Sequence, residues 1–234
     1  MADRIIVGPK YDGELKTINT FKIVGTLLFK NRLSETAIQL TLAVKRPEDE
    51  AVYCIQVTFY GKEQADGIEA IRMDGERKPR LLVIGKYQTR KKTYGGETKY
   101  FKTFVGTRLE YAKTLMESAT GIDYIGKKVA PAENEFCLVG PVSHTYNIYN
   151  KQNPEKTIGT IVTLISVING VKNFPEIVCF GPQAAVARSL KKNDYVSIVG
   201  HAITNEKMNK GRKEFLTSVI ADEIMKIDPE MLVE

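Results

Sequence analysis

The chain carries nearly the same pattern twice, and a duplicated series of short apolar runs punctuated by glycine is compatible with few folds. The first block reads Val24-Gly25, Thr41-Leu42, Phe59-Tyr60-Gly61, Val83-Ile84-Gly85 and Thr103-Phe104-Val105. The second reads Val139-Gly140, Thr163-Leu164, Cys179-Phe180-Gly181, Ile198-Val199-Gly200 and Thr217-Ser218-Val219, at offsets of 115, 122, 120, 115 and 114 residues. Copy two is longer before its middle strand and shorter after it: Gly61 to Gly85 spans 24 residues, Gly181 to Gly200 only 19. Loops tolerate such drift while strands keep their order. Two copies of one small β domain imply two copies of one surface.

The repeat divides the 234 residues into halves of roughly 100, each long enough to bury a core of its own. No apolar run approaches the roughly 20 residues of a membrane span, and the N-terminus, with Asp3, lacks a signal-peptide core. The expectation is a cytoplasmic protein without a membrane partner. Cys54, Cys137 and Cys179 are isolated, without CxxC spacing, which fits inert thiols in a reducing compartment and not a zinc site or a disulfide framework. The net charge of +6 is unevenly spread. Residues 71–113 hold twelve Lys or Arg against Asp74, Glu76, Glu97 and Glu110. A basic stripe on a β module is the footprint of a polyanion, with a solvated surface as the plain alternative.

Alternation and turn residues place strands at 21–30, 37–46, 51–60, 80–90 and 99–110, then near 135–144, 157–169, 174–180, 195–204 and 213–224. Gly95-Gly96 marks the hairpin between the fourth and fifth. A short helix or irregular connector is expected at 62–72 and a short helix at 183–190, and Pro131 marks an interdomain joint. Five strands with a helix between the third and fourth, twice over, predict an all-β chain with short helices: two OB-fold five-stranded Greek-key barrels in tandem. The corresponding division is an arm at 1–20, a first barrel at 21–112, a linker at 113–134, a second barrel at 135–228 and a short tail at 229–234.

The runs Leu40-Thr41-Leu42-Ala43-Val44-Lys45-Arg46, Val57-Thr58-Phe59-Tyr60-Gly61-Lys62 and Leu82-Val83-Ile84-Gly85-Lys86-Tyr87-Gln88-Thr89-Arg90-Lys91, with Val24-Gly25 and Val105 in order around them, resemble the bacterial single-stranded-DNA-binding protein family, including its phage and plasmid relatives. The resemblance covers about 21–110 well and about 135–226 more faintly. It implies a protein that coats single-stranded DNA largely without sequence preference in replication, recombination or repair, needing no cofactor. The family assembles four barrels, so two per chain imply a homodimer, with a monomer as the alternative. The family's Gly/Pro-rich tail with an acidic, aromatic tip has no counterpart in Lys226 to Glu234, which puts recruitment of replication or recombination proteins by that route in doubt.

Single-strand binding needs flat rings for the bases and cations for the phosphates. Strand parity puts Ile55, Val57 and Phe59 on a core face of the third strand with Tyr53, and Cys54, Gln56, Thr58 and Tyr60 on the other. Tyr60 stands where the family carries a stacking aromatic. Phe180 matches it in copy two, and Phe174, six residues earlier, falls where the family holds another; either Phe could instead be core. The family's aromatic after T-R-K is here Lys92, with Tyr94 two residues on; the departure leaves open which residue stacks, and Tyr94 at the basic loop tip, with little core to bury in, is the candidate. The candidate stacking residues are Tyr60, Tyr94, Phe174 and Phe180. The candidate phosphate contacts are Lys86, Arg90, Lys91, Lys92, Lys99, Lys102, Arg108, Lys207, Arg212 and Lys213. His144, Tyr146 and Tyr149 offer a further wrapping loop. Catalysis is not expected: the two His residues are isolated, the acids are scattered, and neither a phosphate loop nor a GxSxG elbow occurs. The rival reading is a replication or recombination adaptor. There the first barrel binds nucleic acid and the second, with its apolar 157–170 stretch, mediates protein interaction or dimerisation.

Overall fold

The computed structural model describes residues 17–45, 51–73, 78–94, 97–112, 133–209 and 212–231; within these, the side chains of 91, 92, 94, 97–100, 206–209, 212–215 and 231 lie outside the description. The first half holds β1 (Ile18–Ser34), β2 (Ala37–Lys45), β3 (Val52–Tyr60), α1 (Lys62–Glu69), β4 (Arg80–Tyr94) and β5 (Glu97–Tyr111). The second holds β6 (Asn134–Tyr149), β7 (Thr157–Leu164), β8 (Ser166–Ile168), β9 (Val171–Asn173), β10 (Glu176–Cys179), α2 (Gly181–Ser189), β11 (Tyr195–Asn209) and β12 (Arg212–Lys226), followed by one 3-10 turn at Pro229–Met231. Neither helix is long and apolar enough to cross a membrane.

Each half closes on itself. Around the first barrel the order is β1-β2-β3-β5-β4, and β4 returns to pair with β1 from Phe21↔Gly85 to Thr26↔Arg80. The second runs β6-β7-β10-β12-β11 and closes β11 onto β6. All of these pairings are antiparallel except β3–β5 and β10–β12. With α1 and α2 between the third and fourth barrel strands, this is the OB-fold twice over. The interiors are filled by the alternate residues that parity selects: Ile55, Val57 and Phe59 from β3, and Ile177 and Cys179 from β10, are buried. Burial pushes the Cys179 thiol up to about 11.

The repeated glycines have a geometric cause. A register shift falls just before Gly85 on β4 and just before Gly200 on β11. At both, a Cβ would run into the carbonyl of the facing strand, Val105 or Ile220. Only glycine allows that approach at a bulge. These bulges also correct one offset read from sequence. Gly85 pairs with Gly106 and Gly200 with Ala221, so the last strands match at 115 residues and not 114. Phe104 corresponds to Val219, and Thr103 to Ser218. A one-residue slip of this kind exchanges the two faces of a strand.

The halves are joined by strand pairing. β1 runs antiparallel to β6 from Ile18↔Val139 to Ile23↔Asn134, and the pair Phe21↔Phe136 joins two residues that are themselves 115 apart. A local two-fold axis therefore passes between equivalent phenylalanines. Their rings stack at 5.2 Å and 28°, Phe104 lies 4.8 Å from Phe136, and Tyr87 meets Phe104 edge-on at 5.2 Å. All four are buried, and burial drives the Tyr87 hydroxyl far above its ordinary range. The expectation of two separate cores is thus corrected: one apolar cluster runs through both barrels. β1 begins at Ile18, within the stretch read as an arm, and Ile18 to Ile23 form this seam. Of the stretch read as a linker, only 133 and 134 are described.

Polar contacts obey the same two-fold relation. The Asn19 side chain accepts from the Tyr87 N–H at 2.8 Å and donates to the Tyr87 carbonyl at 2.8 Å. Asn134, 115 residues on, does the same with Ala202 at 2.9 and 2.7 Å. Across the seam, the Phe174 N–H donates to the Thr89 hydroxyl at 2.8 Å, and Thr204, the residue equivalent to Thr89, donates to the Cys54 carbonyl at 2.9 Å.

Two strand assignments change. The expected strand 157–169 is broken at Ile165, whose N–H donates to the Pro141 carbonyl, and the expected strand 174–180 begins only at Glu176. Pro175 has no N–H for a ladder, so the chain bends there and β8–β9 leaves the barrel as a separate hairpin. That hairpin lies against the first barrel: Ser166 accepts from Asn19 at 2.9 Å and the Val167 N–H donates to Thr17 at 3.0 Å. Within the apolar 157–170 stretch Val162, Leu164 and Ile168 are buried, while Ile158 stays 43% exposed.

Candidate functional site

On the first barrel, the outward side chains of β2, β3 and β5 form an open groove of about 600 Å³. Gln39, Gln56 and Thr58 lie along its floor, Tyr60 and Phe101 stand in its wall, and Leu216 on β12 of the second barrel faces them. The volume falls in the range of small-molecule clefts.

Tyr60 ends β3, immediately before Gly61 at φ 114°, a turn that only glycine makes without strain. The ring is 41% exposed, well above what a core aromatic shows, and the Arg90 guanidinium lies 5.1 Å from its centroid. That is a cation–π contact. Register puts Phe101 directly opposite Arg90, so Tyr60, Arg90 and Phe101 converge at one end of the groove. Phe101, 43% exposed, was not singled out from sequence. It follows Tyr100 in the hairpin, and only the pairing shows which of the two adjacent aromatics turns to this face. β4 and β5 continue past this point as a paired arm to Tyr94↔Glu97. The side chains of Lys91, Lys92, Tyr94 and Lys99 on that arm lie outside the described residues, as do those of Lys207, Arg212 and Lys213 on the matching β11–β12 arm.

The other candidates separate. Lys86 is half-buried on β4, opposite Val105. Lys102 is bound to Glu176 of the second barrel at 2.5 Å, so its charge is already partnered. Arg108 pairs with Glu110 on its own strand at 2.5 Å and stands seven residues from Phe101, roughly 23 Å of strand path. Phe174 is half-buried in the turn before Pro175, not on a strand, and its backbone serves the Thr89 contact. Phe180 is 44% exposed and resembles Tyr60 in setting: it follows directly on the third barrel strand, precedes Gly181 at φ 52°, and lies over Gly159. His144 and Tyr146 are joined at 2.9 Å on the longer β6–β7 hairpin, with Tyr149 exposed beyond them.

The two faces differ in chemistry. By register, Gln39 and Thr58 of the first barrel correspond to Ile161 and Val178 of the second, and Gln56 to Glu176. The position equivalent to Arg90 is Asn205. Residues 86–102 carry six cations and one acid, and the matching 201–217 four and two. At the β1–β2 turn beside Tyr60, Arg32 is held by Asp66 at 2.8 Å and Glu69 at 2.9 Å, and Lys62 by Glu35 at 2.7 Å. Among the described residues, no three His, Cys, Asp or Glu side chains come together as a metal site would require.

No protein-family model matches this chain, and no curated protein matches it by sequence. Among solved structures, it is similar to the wild-type single-stranded DNA binding protein from Thermus aquaticus: TM-score 0.61, 18% identity, 91% of this chain and 94% of that one. A deletion variant of the same protein aligns at TM-score 0.60 and 17% identity over 90% and 95%. The shared property is the fold of the whole chain, with two barrels in one polypeptide.

Proposed function

We propose that this chain binds single-stranded DNA, coating it largely without sequence preference during replication, recombination or repair. The observation that carries the reading is the exposed Tyr60 ring under Arg90 at the mouth of the groove, at the root of a hairpin dense in Lys and Arg. A ring accepts any base by stacking, and the cations neutralise backbone phosphates. A base arriving at Tyr60 takes the place of the guanidinium, which moves onto the adjacent phosphate. The solved proteins that share the fold are named for the same ligand. The first barrel supplies the main face; Phe180 supplies a weaker one, because Asn205 stands where the first barrel has Arg90 and Glu176 where it has Gln56. Two such chains would present four barrels.

The Lys102–Glu176 pair makes a separate prediction. Glu176→Gln is expected to release Lys102, tighten binding of oligo-dT at low salt, and steepen the slope of log affinity against log salt by about one phosphate contact. Titrations at several salt concentrations check it. An unchanged slope would remove Lys102 from the path of the strand. The function itself is tested by titrating the chain with single- and double-stranded oligonucleotides of one sequence, where binding confined to the single strand is expected.

A further inference from the structure

The groove floor has a property that stacking does not use. Gln56 is exposed and Gln39 half-buried, and the pairs Gln39↔Thr58 and Thr41↔Gln56 make them diagonal neighbours on one outward face of β2 and β3. Diagonal neighbours of this kind have Cβ atoms about 7 Å apart, within reach of two long side chains converging on one planar group. Other polar side chains at the seams of this fold are committed: Asn19, Asn134, Thr89 and Thr204 each hold a backbone group. Gln39 and Gln56 border open space. Their equivalents on the second barrel are Ile161, which is apolar, and Glu176, which is spent on Lys102. A pair of amides with solvent on one side and aromatic walls at Tyr60 and Phe101 is therefore particular to the first barrel.

A primary amide offers a donor and an acceptor side by side. The hydrogen-bonding edge of every nucleobase offers a donor and an acceptor as well, and an amide can turn over to match either order. We infer that Gln39 and Gln56 form a slot for the hydrogen-bonding edge of an unpaired base, entered edge-first while a neighbouring base stacks on Tyr60. The slot rests on the reading of the chain as a single-stranded DNA binder. It sharpens that reading in two ways. It accepts all four bases, in keeping with a coating protein, but it excludes a base whose edge is already occupied in a duplex. Discrimination against double strands is thus chemical.

The test separates edge from ring. Oligo-dT is compared with the same oligomer built from N3-methylthymidine, which keeps the stacking surface and the phosphates but blocks the edge. The wild-type chain should bind oligo-dT about three- to tenfold more tightly, the scale of one or two net hydrogen bonds. Gln39→Leu/Gln56→Leu should bind both oligomers alike, at the wild-type affinity for the methylated one. Gln56→Leu alone, at an exposed position that does not bear on folding, should reduce the ratio partway. A wild-type ratio near one, or a ratio that survives in the double variant, overturns the slot while single-strand binding stands. A wild-type chain that binds neither oligomer overturns the parent reading and the slot with it.

Discussion

Phe136→Ala is expected to lower the unfolding free energy by about 3–5 kcal/mol, the scale of removing a fully buried aromatic. The ring is enclosed by Phe21 and Phe104 at the join of the two barrels, so no solvent or loop can fill the space left. Aromatic pairs add about 0.5–1.5 kcal/mol beyond area burial, and Phe136 makes two. Because one apolar cluster spans both halves, the wild-type chain should unfold in a single transition, with fluorescence and far-ultraviolet circular dichroism coincident in urea. The same logic predicts that either half expressed alone is unstable, since each would expose its phenylalanine and an unpaired β1 or β6 edge. Two separated transitions in the intact chain, or a loss under about 1 kcal/mol in the variant, would mean that the seam is not a shared core.

The second large effect is on binding. Tyr60→Ala should weaken the complex with oligo-dT by about 1–3 kcal/mol, one lost base stack, and Tyr60→Phe should restore it, because the ring and not the hydroxyl carries the contact. Arg90→Ala should also weaken binding but in a salt-dependent way, with a shallower slope, as expected of a guanidinium proposed to answer a phosphate. Measuring both variants across salt concentration distinguishes the roles. Tyr60→Ala at wild-type affinity would move the stacking site elsewhere, toward the β4–β5 arm and Tyr94.

Much of the fold is legible in sequence because its determinants are local. Parity on β3 separates Ile55, Val57 and Phe59 from Gln56 and Tyr60, and the repeated glycines mark bulges and turns that each barrel needs for its own closure. The seam is harder to read, because it depends on a partner strand more than 100 residues away. Carrying the repeat a few residues upstream finds Asn19-Thr20-Phe21 against Asn134-Glu135-Phe136, yet nothing local says that equivalent residues pair with one another. The site shows the same division. The exposed placement of Tyr60 and Phe180 is readable because each stands at a strand terminus before a glycine, whereas that of Phe101 requires the register of β5 against β4. Charge is the least readable: Lys102 sits in the basic run as plainly as Arg90, and only the fold brings Glu176 to it, whereas the Arg108–Glu110 pair follows from strand alternation.

The most direct test of the account is a fluorescence titration of the intact chain, whose eleven tyrosines report without interference because it holds no tryptophan. Single- and double-stranded oligonucleotides of the same sequence are compared at several salt concentrations. The expected result is quenching by the single strand, with affinity falling linearly in log salt and the duplex binding far more weakly. Equal affinity for the duplex, or no binding of the single strand at low salt, would contradict it.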